Sequence, residues 1–116
     1  MASFEPSEAD HAVVEVTGEV DQRSRVQLVK ALDRVVRSEA EALVVDLTGV
    51  TFFSAAGVHC VEDTAEAMAA RGGGFHLVCP EGKAAWVVLN VLALLPCWPV
   101  HATMADAVDV LTAPTA

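Results

Sequence analysis

Basic residues are scarce in this 116-residue chain. Seven Lys and Arg stand against sixteen Asp and Glu, a formal net charge of −9. Phosphate contacts need Lys and Arg, so no nucleic acid is expected as a partner, and an acidic domain prefers a basic protein surface. Five of the seven bases, Arg23, Arg25, Lys30, Arg34 and Arg37, lie in one segment, leaving only Arg71 and Lys83 elsewhere. Cysteine is equally sparse. Cys60, Cys79 and Cys97 are odd in number and widely spaced, with no CxxC pair, so metal and redox chemistry have little support. His11, His59, His76 and His101 have no ligand spacing such as HExxH. His59 and Cys60 make no nucleophilic pair, because sequence neighbours on a helix do not face each other. Gly72-Gly73-Gly74 lacks the Lys-Ser/Thr of a phosphate loop. No set of nucleophile, base and oxyanion donors can be assembled, so neither an enzyme nor a cofactor is expected. The start, MASFEPSEAD, is too acidic and polar for a signal peptide. The longest apolar run, Ala84 to Val100, contains Asn90 and two prolines and is too short to span a bilayer. The expectation is a cytoplasmic protein with no membrane association.

What is present is a core. With 53% hydrophobic and 20% charged residues, disorder is expected only at the ends, and the length suits one domain. The most informative stretch is Leu43 to Val58, LVVDLTGVTFFSAAGV. Leu43 to Leu47 is an unbroken run of β-formers, the pattern of a strand covered on both faces. Thr48-Gly49 is read as its end. Phe52 and Phe53, without helical spacing, are read as plugging the core beside the turn. Ser54 then starts a helix whose first turn, Ala55, Ala56 and Gly57, is small. A helix N-terminus carries unpaired N–H groups and a partial positive charge, so this bare end suits a phosphate or an acidic partner.

Around that stretch the chain alternates. Residues 1–10 form an N-terminal segment in which Phe4 anchors a short edge strand. The folded domain is expected over 11–112, with 113–116 a frayed tail. His11 to Thr17 alternates as a strand. Asp21 caps a helix from Gln22 to Ser38, with Leu28, Val29, Leu32, Val35 and Val36 on one face. A second helix runs from Ala55 to Ala70 with Val58, Val61, Ala65 and Met68 inward, and Arg71 to Gly74 ends it. Phe75 to Cys79 is a strand stopped by Pro80. Gly82 to Leu94 is a third helix, Val100-His101 a short edge strand, and Met104 to Leu111 a last helix behind the capping box Thr103 to Asp106. Strands alternating with helices imply an α/β fold on a small, mostly parallel sheet of four to five strands.

Two surfaces stand out. Glu62, Asp63 and Glu66 form an acidic row on the second helix, the usual sign of a solvated face, but here beside the bare N-terminus and with no base nearby in sequence. The third helix is too apolar for one solvent face. It is either buried under Trp98 and the last helix, or exposes a patch for a homodimer or an apolar ligand.

TGEVD before a charged amphipathic helix, then LVVDLTGVTFFSAAGV, then RGGGFHLVCP, resembles the STAS domain of bacterial anti-sigma factor antagonists over roughly His11 to Leu111. The resemblance implies a small sheet with about four helices mainly on one side. It implies binding to an anti-sigma factor, usually a GHKL-type serine kinase, so that a sigma factor is released. It also implies control by phosphorylation of a serine at the start of the second helix, where the family commonly reads Asp-Ser-Ser/Thr-Gly. Here those positions are Ser54, Ala55, Ala56 and Gly57, so Ala55 stands at the acceptor position without a hydroxyl. Three readings remain: a constitutively competent antagonist, a shifted acceptor at Ser54 or Thr51, or a scaffold whose partner is not a kinase. Ser54 is read first as a helix cap. The partner surface so implied comprises Asp21, Thr51, Ser54, Ala55, Ala56, Gly57, Glu62 and Asp63. The rival reading is a STAS-like sensor of a small apolar ligand or nucleotide with the third helix as a wall, or a subunit of a larger signalling assembly.

Overall fold

The computed structural model describes residues 2–6 and 11–112. Along the chain run β1 (Ala2–Pro6), β2 (His11–Val20), α1 (Arg25–Val36), β3 (Ala42–Phe53), α2 (Ala55–Ala70), β4 (Gly74–Val78), α3 (Ala84–Val91), a 3-10 turn (Leu95–Cys97), β5 (Val100–His101) and α4 (Met104–Thr112). The sheet order is β1-β2-β3-β4-β5, with β2 to β5 parallel and β1 antiparallel at the edge. The α/β fold with a mostly parallel sheet of four to five strands is therefore observed. No helix among the described residues is long and apolar enough to cross a membrane.

β3 explains the unbroken apolar run. Leu43, Val45 and Leu47 join the main core, together with Leu28, Leu32 and Val35 of α1, Val61 and Met68 of α2, and Leu89 of α3. Val44 faces the opposite way, into a smaller cluster with Val78 and Ala107 of α4. Three helices thus cover one face and α4 the other. From Ala42 to Leu47 both faces of β3 are dry, and each fully buried Val or Leu contributes about 1.5–3 kcal/mol.

The strand does not end at Thr48-Gly49, as expected from sequence, but runs on to Phe53. Its register with β2 slips twice: Glu15 pairs with Asp46 but Thr17 with Gly49, and Gly18 pairs with Val50 but Glu19 with Phe52. Each slip gives β3 one residue more than its partner, a β-bulge that absorbs the turn-forming pair without breaking the ladder. Gly49 is needed because a Cβ there would lie 2.8 Å from Thr17 Cγ2. The Asp46 carboxylate accepts the Thr48 N–H at 3.0 Å, tying the first bulge down.

The helices stand where their patterns place them, but α1 and α3 are both shorter than expected. α2 has the expected limits and inward residues. Regular α1 begins at Arg25, three residues late, yet Asp21 still caps the preceding turn. Its carbonyl accepts the Arg25 N–H at 3.0 Å, and its carboxylate accepts those of Arg23 and Ser24, both at 2.9 Å. Ser24 Oγ in return accepts the Asp21 N–H at 3.0 Å, a capping box with serine as the returning side chain. Arg71, one of the two bases outside the α1 segment, donates to the carbonyls of Val35, Val36, Ser38 and Ala40 and so closes the C-terminal end of α1. α3 stops at Val91, short of the expected Leu94. Leu94 N–H reaches back to Leu89 O at 2.9 Å and Ala93 N–H to Asn90 O at 3.0 Å, a Schellman ending.

Ala93 occupies the left-handed position of that ending, with φ +56°. An L-residue there costs about 1–2 kcal/mol, partly offset for glycine by its greater unfolded-state freedom. Ala93→Gly is expected to raise stability by about 0.5–1 kcal/mol, read as a higher urea midpoint at unchanged slope. An unchanged or lower midpoint would contradict this account of the helix end.

Candidate functional site

The end of β3, the start of α2 and the turn between β2 and α1 meet at one place. Ser54 N–H donates to Val20 O at 2.9 Å, and Ser54 O accepts Val58 N–H at 3.1 Å as the first bond of α2. The Ser54 backbone is extended, with φ −91° and ψ 176°, as an N-cap requires. Its hydroxyl does not cap. Ser54 Oγ is buried and makes no hydrogen bond, which corrects the expectation of a side-chain cap. The first turn of α2 therefore keeps its amides free of any side-chain acceptor, and the partial positive charge of the helix end is uncompensated.

Gly57, expected in the partner surface, is buried. A Cβ on it would lie 2.7 Å from Phe53 Cε1 and 2.8 Å from Val20 Cγ1. Its absence lets the helix terminus seat directly on β2 and β3, so Gly57 acts on the surface from beneath. Thr51 and Ala55 are exposed and Ala56 is half-buried, so these three do form the outer surface. Asp21 lies beside them, half-buried. The Ser24 amide donating to its carboxylate, more than the smaller contributions of Arg23, holds that carboxyl below its ordinary range.

Phe52 is the residue missed by sequence reasoning. Phe53 is buried, as expected, but Phe52 is 52% exposed, next to the α2 terminus. The signal was available: adjacent side chains of a strand point to opposite faces, so two successive aromatics cannot both plug one core. Glu62, Asp63 and Glu66 are exposed, as expected. They are not isolated from base, however. Arg25 of α1 shares with Asp63 a groove of about 250 Å³ that also holds Val29, Asp33, Cys60 and Thr64. Cys60 is a small core residue whose burial pushes its thiol up, and Cys79 is pushed up to about 11 for the same reason.

A second, open groove of about 630 Å³ lies on the α4 side of the sheet, between Glu15, Thr17, Asp46, Thr48, Pro80 and Thr103. α3 lines neither of these two grooves. Among the described residues there is no group of three or more His, Cys, Asp and Glu able to hold a metal ion. Two histidines that sequence spacing left apart do meet. His76 Nδ1 and His101 Nε2 are 3.0 Å apart with the rings stacked, one on β4 and one on β5.

The family model for the STAS domain matches residues 5–107. Comparison with curated proteins found no match. Among solved structures, an anti-sigma factor antagonist from Mycobacterium paratuberculosis is similar at 28% identity and TM-score 0.86, over 95% of this chain and 92% of that one. The anti-sigma factor antagonist SpoIIAA in its unphosphorylated form is similar at 18% identity and TM-score 0.78, over 98% and 100%. The Bacillus cell fate determinant SpoIIAA in its phosphorylated form is similar at 20% identity and TM-score 0.76, over 96% and 99%. At these last identities the likeness is one of fold.

The histidine pair generates a pH dependence. Burial first, then the neighbouring His101, lowers the pKa of His76 below 6.5. The folded state therefore binds the proton less readily than the unfolded chain. The pair's contribution is fully present above pH 6.5 and is lost as pH falls through the lowered value. Urea midpoints are expected to drop on acidification below about pH 6.5, more steeply in the wild type than in His76→Gln. Equal slopes for the two proteins would remove the pair as the cause.

Proposed function

The chain belongs to the STAS domain family, and from that membership we propose that it is an anti-sigma factor antagonist. It docks on an anti-sigma factor of the GHKL serine kinase type and so releases a sigma factor for transcription. The observation that carries this reading is the α2 terminus: an uncapped helix end with small, outward Ala55 and Ala56, flanked by exposed Thr51 and Phe52. The outward side chains of Thr51, Phe52 and Ala55 there suit a protein partner, whereas a small-ligand site would need an enclosed pocket. The role is binding in the cytoplasm, with no reaction carried out at the site. Self-association through α3 would use a different surface from this one.

Docking and its control have the same physical origin. A phosphate on the first turn adds up to about two negative charges and blocks close approach. Ala55 offers no hydroxyl to carry one, and Ser54 Oγ is buried where a kinase would have to reach it. The domain is therefore competent to bind at all times, and Phe52 supplies the aromatic anchor typical of a binding hot spot. Asp21 orders the neighbouring turn, and Glu62 and Asp63 meet basic groups of the partner along the outer face of α2.

Pull-down with a cognate anti-sigma kinase tests this. The wild type is expected to be captured, Ala55→Glu to be lost, and Phe52→Ala to bind about 10- to 30-fold more weakly. Glutamate in a first helical turn is favourable to the helix, so lost capture would not reflect unfolding. Equal capture of Ala55→Glu would contradict docking through the terminus. Incubation of the wild type with the kinase and labelled ATP is expected to leave Ser54 unlabelled, whereas Ala55→Ser becomes labelled. Label on wild-type Ser54 would replace constitutive binding with a shifted phospho-switch.

A further inference from the structure

β4 and β5 bring together two histidines that lie 25 residues apart in the chain. His101 pairs with Val78 in the ladder, so His76 is its diagonal neighbour, two residues back on the adjacent strand. The backbone fixes that relation: Leu77 N–H donates to Pro99 O at 3.0 Å and Cys79 N–H to His101 O at 2.8 Å. Both side chains are half-buried, so a solute ion can still reach them. His76 Nδ1 and His101 Nε2 stand 3.0 Å apart, with the ring planes within 20° of parallel. Among the described residues each ring hydrogen-bonds only to the other. No carboxylate or carbonyl therefore fixes either tautomer.

We propose that His76 and His101 chelate one divalent transition-metal ion. Imidazole nitrogens bind such ions at about 2.0–2.1 Å, and two bonds of that length at a right angle put their nitrogens about 2.9 Å apart. The 3.0 Å between these two rings matches that spacing. A right angle between neighbouring ligands belongs to the square-planar and tetragonal sites of Ni²⁺ and Cu²⁺, whereas tetrahedral Zn²⁺ needs a wider separation. Nearly parallel ring planes let both in-plane lone pairs turn to one ion beside the line joining the nitrogens. Each ring pivots slightly, and the ring that had given its N–H to the pair moves that proton to its other nitrogen. Both ligands are then neutral and no proton is released. Water completes the coordination, since no third His, Cys, Asp or Glu joins the pair among the described residues. Strand pairing has already ordered the two ligands, so little entropy is left for the ion to remove. Charge favours a cation as well. α4, which packs on both strands, carries Asp106 and Asp109 and no base, and no Lys or Arg follows Lys83 in the chain. The bound ion would link the two-residue β5 to β4 through side chains as well as through the ladder. Neither histidine belongs to the docking surface, so this site stands independently of that proposal.

Calorimetric titration of the untagged full chain with Ni²⁺ tests it; Cu²⁺ is the poorer probe because it would oxidise the exposed Cys97. The wild type is expected to bind one ion per chain. His76→Gln and His101→Gln are each expected to weaken binding at least about 10-fold, the loss that removing even a group behind a ligand brings. Ni²⁺ is also expected to raise the urea midpoint of the wild type and not that of His101→Gln, because only the folded chain holds the two rings together. His101 sits at the sheet edge, so its replacement reads the site even where that of His76 disturbs the fold. No binding up to about 1 mM Ni²⁺, an affinity unchanged in His101→Gln, or equal midpoint shifts in the two proteins would each overturn the proposal.

Discussion

The burial of β3 on both faces from Ala42 to Leu47 is the constraint from which the rest of the molecule follows. A strand whose side chains alternate between two cores cannot slip by one residue without reversing every contact, so its register with β2 and β4 is held firmly. The two bulges then act as fixed phase changes. They turn Val50 and Phe53 inward, leave Phe52 outward, and bring the chain to Ser54 with its amide on Val20 O. Gly57 completes the arrangement by letting α2 sit against Phe53 and Val20 without an intervening methyl. The exposed helix terminus is thus a consequence of strand packing, and its position is as rigid as the core beneath it.

Much of this was legible in the chain itself. Apolar periodicity revealed the α2 limits, the inward Leu28, Leu32 and Val35 of α1 and the parallel order, because these depend on burial, which sequence pattern reports directly; Val29, expected on the same face, is instead 40% exposed beside the groove between α1 and α2. The run through Thr48-Gly49 was not legible. Turn-forming residues look alike whether they end a strand or bulge it, and only the neighbouring Thr17 distinguishes the two cases. The uncapped state of Ser54 was hidden for a similar reason. Serine before a helix has the right chemistry for a cap, but whether its hydroxyl reaches the amides depends on a rotamer that no local pattern encodes. The meeting of His76 with His101 required the pairing of β4 with β5, and the approach of Arg25 to Asp63 required the packing of α1 on α2.

Charge is distributed by role. Arg71 is consumed in closing α1, and Arg25 lines the groove against α2, so two of seven basic side chains serve internal contacts. The remaining bases of α1 sit on its outer surface, the acids of α2 lie toward the proposed docking side, and α3 has neither. Electrostatic complementarity of this kind governs which partner approaches and how fast more than how tightly it is held. Affinity at the α2 terminus would come instead from Phe52 and from the close approach that Ala55 and Ala56 permit.

The central claim is that the partner is bound through the α2 terminus. The most direct measurement is amide chemical-shift mapping of the labelled chain titrated with an anti-sigma kinase. The account expects the largest changes over Thr51 to His59 and around Asp21 to Arg23, with α3 and α4 unmoved. Changes concentrated on α3 or in the groove beside Asp46 and Thr103, with the α2 terminus silent, would contradict it.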